Sequence, residues 1–177
     1  MIFEAAMFWT AAVIAVLSTL LAISRSNAVH ALLYLIVSFL AVAVMFFLLG
    51  APVAAALEVI IYAGAIVVLF VFVVMMFNLQ AERPRPNPWT SLRAWAGPAA
   101  LAAILLAEFV IVLAGGGRHG LGPVAVPPRT VGLSLFSAYV LGVELAAMLL
   151  LAAVVGAYHL GGRRTASHHR LFEEPPQ

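Results

Sequence analysis

The sequence has 177 residues, of which 65% are hydrophobic and only 9% are charged, and its mean hydropathy is +1.13. Soluble domains carry roughly a quarter charged residues, so this composition excludes a water-soluble globular domain and indicates a protein embedded in lipid. The chain has no cysteine, which excludes disulfide bonds and thiolate ligation of zinc or iron–sulfur clusters within it. Its nine arginines outnumber its seven glutamates, but they lie in loops and the tail, where they set membrane topology and do not indicate nucleic-acid binding.

Five apolar segments are each long enough to cross a bilayer, because a helical span needs about 20 apolar residues. In chain order the predicted spans are residues 2–23, 28–49, 53–79, 97–114 and 133–160. The first segment lacks a positively charged start and is too long for the apolar part of a signal peptide, so we expect it to be a mature span. The sequence therefore predicts an all-α integral membrane protein, with residues 1–160 forming one domain of five transmembrane helices.

The arginines predict the orientation of these spans. When the loops are alternated across the membrane, seven of the nine fall on one side: Arg25, Arg83, Arg85, Arg93, Arg163, Arg164 and Arg170. The other side holds only Arg118 and Arg129. Cytoplasmic loops carry an excess of positive charge, so we expect the N-terminus outside and the C-terminus in the cytoplasm. The tail, residues 161–177, is expected to be cytoplasmic and disordered.

Four glutamates lie within the predicted spans, where an ionised carboxylate costs a few kcal/mol. Glu4 and Glu108 fall near the outer ends of their spans, and we expect both to reach interfacial water. At the helical rise, Glu58 lies about 9 Å into the third span and Glu144 about 16 Å into the fifth. Groups this deep need a partner, water or a proton. Glu144 is either functional or a neutral carboxyl that hydrogen-bonds a neighbouring helix.

The third span carries two further features beside Glu58. Tyr62 follows four residues later, on the same helical face. It could pair with Glu58, belong to a water-linked relay, or only pack between helices. Gly64 costs about 1 kcal/mol relative to alanine inside a helix and lets backbones approach closely. It precedes a β-branched and aromatic run at residues 67–74. This is a reasonable place for a local defect such as a π-bulge.

Histidines raise a different possibility, a haem-bearing quinone anchor. His30 begins the second span and His159 ends the fifth, so both are expected at the cytoplasmic face. A haem anchor needs paired histidines on facing helices, and these positions fit capping or snorkelling better. The sequence shows no glycine-rich phosphate loop, no Ser/His/Asp set and no metal-ligand spacing.

Three stretches, at residues 27–35, 56–76 and 131–146, resemble segments of one known family, the bacterial J subunits of NADH:quinone oxidoreductase, counterparts of the mitochondrial sixth ND subunit. Residues 27–35 read NAVHALLYL and resemble the start of the family's second span. Residues 56–76 read ALEVIIYAGAIVVLFVFVVMM and resemble its third span almost throughout. Residues 131–146 read VGLSLFSAYVLGVELA and are similar to its fifth. The third-span run is the specific one, because hydrophobicity alone does not place its Glu, Tyr and Gly in this order.

The resemblance implies a membrane subunit of proton-translocating respiratory complex I, in the bacterial inner membrane, between the quinone-site and antiporter-like subunits. The chain would hold no cofactor, no metal and no catalytic redox centre, while FMN, iron–sulfur clusters and quinone would bind elsewhere in the complex. The family's third span is thought to switch between a π-bulged and a regular helix near Tyr62, Gly64 and Val68. Val68 would act as a hydrophobic gate, and Glu58 and Glu144 would lie on the proton path.

Other interpretations stay open on the sequence alone. A related subunit of a multi-component cation/proton antiporter or of a membrane-bound hydrogenase would contain similar helices. A structural spacer would use its glutamates only to hold helices together. The chain lacks lysine, and the antiporter-like pumps of complex I use intramembrane lysine and glutamate together, so this chain is not expected to be such a pump by itself.

Overall fold

The computed structural model of the protein describes residues 2–76, 92–114 and 125–162, and this part of the chain is helical without a strand. The helices, in chain order, are α1 (Ile2–Ser24), α2 (Ala28–Leu48), α3 (Pro52–Leu57), a π-helical segment (Glu58–Ile66), α4 (Val67–Met76), α5 (Leu92–Ala114), α6 (Pro128–Leu135) and α7 (Val140–Gly161). The π-helical segment joins α3 and α4 into one rod.

Five helices are long and apolar enough to cross a membrane: Ile2–Ser24, Ala28–Leu48, Pro52–Met76, Trp95–Ala114 and Val140–Gly161. The predicted class, an all-α protein with five transmembrane helices, is confirmed. The tail beyond residue 162 and the loops at 77–91 and 115–124 lie outside the described residues. The expectations of a disordered tail and of a third span that continues to residue 79 therefore also fall outside them.

The chain divides into two compact units, residues 1–131 and 132–177. In the first unit α2 is central, because it packs against α1, α5 and all three parts of the third span, while α1 also contacts α5. Small side chains permit this close packing. The most deeply buried residues of the first two helices include Ala11, Ala41 and Leu48, each fully inaccessible.

A polar contact joins α1 to α2 inside this packing. The hydroxyl oxygens of Thr19 and Ser38 lie 2.8 Å apart, and Ser38 donates to the carbonyl of Ala15 at 3.1 Å. Within lipid these hydroxyls have no water to replace such partners, so interhelical hydrogen bonds stabilise the pair.

The turns follow from their residues. Asn27 caps α2, its side-chain oxygen accepting from the backbone amides of Val29 at 3.0 Å and His30 at 3.4 Å. Gly50 adopts a positive φ of 79° in the turn before Pro52, a conformation that glycine adopts without steric cost. The Gly50 carbonyl accepts a hydrogen bond of 2.9 Å from the amide of Val126, which ties residues 125–127 to the end of α2.

The predicted start of the fifth span is wrong. The span was expected at residues 133–160, but α6 ends at Leu135 and α7 begins only at Val140, after a turn at residues 136–139. The Ser137 hydroxyl donates to the Leu133 carbonyl at 2.6 Å. The amide of Tyr139 reaches back five residues, to the Ser134 carbonyl at 3.0 Å. Serine side chains that bond the local backbone compete with a continuous helix.

Candidate functional site

The third span contains a nine-residue π-helix, Glu58–Ile66, which is the feature that distinguishes it from the other spans in the described part of the chain. Its hydrogen bonding is shifted by one residue, so the amide of Val67 donates to the carbonyl of Tyr62, five residues back. The bulge expected beside Gly64 is therefore present. A π segment accommodates about one residue more than the α-helix it replaces, and such segments occur frequently at functional sites.

Gly64 lies at a close approach within the backbone of the π-helix. A Cβ atom placed on Gly64 would lie 3.0 Å from the carbonyl oxygen of Val59, the residue five positions earlier. That distance is shorter than ordinary van der Waals contact, so the Val59 carbonyl would have to move by a few tenths of an ångström to accept a larger residue. Glycine at this position leaves the close approach unobstructed.

Tyr62 is positioned by α2. Its ring packs against Phe39, with ring centroids 5.5 Å apart and planes tilted by 58°, while 47% of the residue is exposed. Glu58 is partly buried at the start of the π-helix. In the described part of the chain no hydrogen bond joins Glu58 to Tyr62. The direct pairing considered from their spacing is thus not formed, and the two groups lie on one span as separate polar positions.

Val68 and its neighbours present apolar surface outward. Val68 is the second residue of α4 and is 56% exposed, whereas the preceding Val67 is fully buried. Ile60 and Leu69 are also exposed. A segment that exposes Tyr62 and Val68 together carries both a polar group and an apolar group on the surface of the first unit. A surface of this kind can admit water where Tyr62 faces a neighbouring protein and exclude it where Val68 does.

Glu144 lies in the second unit, four residues after the start of α7 and with its side chain exposed. Counted from Val140, it is about 6 Å along the helix, because each residue advances by ~1.5 Å. The depth of about 16 Å expected from sequence was counted along a continuous helix from residue 133, whereas the helix that carries Glu144 begins at Val140. The group lies nearer the end of its helix than the middle.

Sequence reasoning misplaced one acidic residue. Glu108 was expected to reach interfacial water, but it is only 6% exposed. Its Oε1 atom lies 2.9 Å from the hydroxyl of Thr10 on α1, and its Oε2 atom is buried without a hydrogen-bond partner. No signal in the sequence identifies this contact, because the partner lies 98 residues away on another helix.

The two described histidines, His30 and His159, lie in different units of the chain. The His30 ring packs edge-on against Trp95 on α5, with centroids 6.5 Å apart, and His159 lies in the last turn of α7. Within the described residues no group of three or more His, Cys, Asp or Glu side chains is placed to hold a metal ion.

The fold and site define a multi-pass membrane protein. Its spans contain carboxyl groups and a phenol, and its third span includes a π-helical segment. The family model for NADH-ubiquinone/plastoquinone oxidoreductase chain 6 matches residues 18–160, and the chain belongs to this family. The interpretations as a cation/proton antiporter subunit, a hydrogenase subunit or a haem-bearing anchor are not favoured.

Curated relatives agree with this assignment. A protein of Pseudomonas aeruginosa named NADH-quinone oxidoreductase subunit J is 56% identical over 156 residues, covering 87% of this chain and 94% of the relative. The protein of the same name in Escherichia coli K12 is 49% identical over 160 residues, covering 90% of this chain and 87% of the relative. One from Buchnera aphidicola of Schizaphis graminum is 44% identical over 157 residues, covering 87% of this chain and 95% of the relative.

Proposed function

We propose that this chain acts in the membrane arm of proton-translocating NADH:quinone oxidoreductase, where its third span couples quinone reduction to proton movement by switching between π and α conformations. The observation that carries the proposal is the π-helix at Glu58–Ile66. The whole complex performs the redox reaction, and this chain contributes a conformational element. Its partners are the quinone-site and antiporter-like subunits, in the bacterial inner membrane. FMN, iron–sulfur clusters and quinone bind to other subunits.

The switch has a simple geometric consequence. If the π-helix converts to an α-helix, the surplus residue must leave the segment, and the helix beyond it rotates by about 100°. Val68 is exposed and Val67 is buried in the π form, so this rotation would exchange which side chains face the neighbouring subunits. Val68 would then act as a gate beside the polar Glu58 and Tyr62, opening or closing a hydrated path for protons.

Contacts with α2 favour a switch over a general loosening of the span. The Phe39–Tyr62 ring contact holds one side of the π-helix against α2, and aromatic pairs of this kind contribute about 0.5–1.5 kcal/mol. Ala63 and Val67 are buried on that side. The segment therefore has a defined packed state that a partner subunit can stabilise or oppose. Glu144, on α7, is proposed to belong to the same proton path at a separate position.

Substitution of Gly64 tests the switch directly. In Gly64→Ala the added methyl group would lie 3.0 Å from the Val59 carbonyl oxygen in the π form, so we expect the equilibrium to shift toward the α form. Alanine is also the better α-helix former, by about 1 kcal/mol. We expect protons pumped per NADH oxidised to fall several-fold, roughly the effect of a 1–2 kcal/mol shift in a two-state equilibrium. Oxidation of NADH by ferricyanide should remain at the parental rate.

A matched control is Gly156→Ala. Gly156 lies in α7, five residues before its end, where an added Cβ atom meets no atom within 4 Å. This variant gains the same helix propensity without affecting a π-helix, so its pumping should equal that of the parent. Normal pumping in Gly64→Ala and also in the bulkier Gly64→Val, in fully assembled complex, would contradict the proposed switch.

A further inference from the structure

Glu108 on α5 is a buried carboxyl that the third-span switch does not use. It is 6% exposed, and the residues one turn away on either side, Leu105 and Val112, are 4% and 1% exposed. The group faces α1, where its Oε1 atom lies 2.9 Å from the Thr10 hydroxyl. Its other oxygen, Oε2, is buried and has no hydrogen-bond partner. Among the described residues, the hydrogen bond of this acid is to Thr10, and Leu105 and Val112 beside it belong to the apolar core.

The Thr10 hydroxyl oxygen has two close oxygen neighbours. It lies 2.8 Å from the Met7 carbonyl and 2.9 Å from Glu108 Oε1. A hydroxyl carries one proton, and a carbonyl carries none. If Thr10 donates to Met7, the contact with Glu108 is a hydrogen bond only when Glu108 donates in turn. Both short contacts are then satisfied by a protonated carboxyl.

An ionised Glu108 would leave these oxygens short of protons. The Met7 carbonyl and the carboxylate would compete for the single Thr10 proton, and Oε2 would stay uncompensated in an apolar surrounding. Buried carboxylates persist only when paired or fully hydrogen-bonded, and otherwise neutralise by taking up a proton. The neutral acid leaves only a carbonyl-type oxygen unpartnered, which is much less costly than an unpartnered charge.

The charged groups of the packed helices do not supply a counter-ion among the described side chains. On the α1 side these are Glu4, six residues before Thr10, and Arg25, fifteen residues after it, or about 22 Å along the axis. Arg25 packs over the ring of Tyr34, 5.3 Å from its centroid. The other titratable groups on α2 are His30 and Tyr34, which lie in the first two turns of that helix. The nearest of these charges is therefore another acid.

We propose that Glu108 is a proton-binding site. It carries its proton as a carboxylic acid, and its O–H group donates a hydrogen bond to the Thr10 hydroxyl oxygen. The Thr10 hydroxyl in turn donates a hydrogen bond to the Met7 carbonyl. The site lies at the contact between α1 and α5, apart from the third span, so it does not depend on the π-helix switch. Thr10 is itself exposed on the surface of the first unit.

Infrared spectroscopy of the assembled complex, with glutamate side chains of this chain carrying ¹³C carboxyl groups, tests the site. The variant Glu108→Gln should lack one carbonyl band of a protonated carboxylic acid, so this band should appear in the parent-minus-variant difference spectrum and shift in D₂O. The appearance of carboxylate bands in that difference spectrum instead would overturn the proposal. Glutamine is neutral and of the same size, so the variant should assemble at the parental level.

Two variants of the proposed acceptor complete the test while keeping Glu108 in place. Thr10→Val removes the oxygen that accepts the proton, so the Glu108 carbonyl band should move to higher frequency as its O–H group loses the hydrogen bond. Thr10→Ser keeps a hydroxyl and should leave the band at the parental position. An unmoved band in Thr10→Val, or equal shifts in both variants, would overturn the assignment of Thr10 as acceptor.

Discussion

Tyr34 shows how tightly single residues are fitted at one end of the first unit. The residue is 4% exposed, and its hydroxyl lies so close to Gly97 on α5 that a Cβ atom there would collide with it. The Arg25 guanidinium covers the ring and donates to the hydroxyl at 3.4 Å. The absence of a side chain at Gly97 is therefore what allows α5 to approach α2 at this point.

We expect Gly97→Ala to destabilise the chain by about 1–3 kcal/mol, the usual cost of overpacking a well-packed site. The measurement is the free energy of unfolding, or the midpoint temperature, of the purified chain in detergent. Combining it with Tyr34→Phe removes the colliding hydroxyl and should recover part of the loss. Gly156→Ala, which meets no neighbouring atom, should not be destabilised. Equal losses with and without the Tyr34 hydroxyl would show that the collision is not the cause.

The glutamates mark the limit of residue-level prediction. Sequence gives the distance of a residue from the end of its span. It does not give what lies across the helix. The position of Glu108, six residues from the end of α5, predicts that it reaches interfacial water, yet the residue is 6% exposed and its carboxyl contacts Thr10. A buried partner from a distant segment leaves no local pattern.

At the scale of the element, α2 begins where its cap dictates. Asn27 satisfies two amides of the first turn, so Asn27→Ala should cost about 1 kcal/mol of stability. Asn27→Asp keeps a side-chain oxygen acceptor and should remain close to the parent. Thermal unfolding of the purified chain measures both. A similar loss in the aspartate variant would assign the effect to something other than the cap.

Whole helices were predicted more reliably than their interruptions. The first four predicted spans each overlap one long apolar helix of the structure, because lipid forces an apolar segment to satisfy its backbone as a helix. Averaging of hydropathy merged α6 with α7, since Phe136, Ala138 and Tyr139 are apolar enough to look continuous. The break coincides with the hydrogen bond that the Ser137 hydroxyl donates to the Leu133 carbonyl and with the one that the Tyr139 amide donates to the Ser134 carbonyl. The π-helix was expected near Gly64, but its nine-residue extent was not.

At the scale of the whole molecule, the absence of cysteine makes the orientation easy to test. The arginine distribution predicts the 115–124 loop outside and the tail in the cytoplasm. A cysteine introduced as Gly120→Cys should react with a membrane-impermeant maleimide in intact cells or spheroplasts. Ser167→Cys should react only after permeabilisation, and the parent chain should not react at all. The reverse labelling pattern would show that the orientation is inverted.

The π-helix also has a genetic consequence. Losing one codon from a regular helix turns every later side chain by about 100° and usually spoils its packing. The Glu58–Ile66 segment already holds about one residue in excess, so a single-codon deletion there, at Ala65 for example, could be absorbed by joining α3 and α4 into one regular helix. Their buried faces would keep their register. The deletion would produce a third span fixed permanently in the α conformation that the proposed switch reaches by rearrangement.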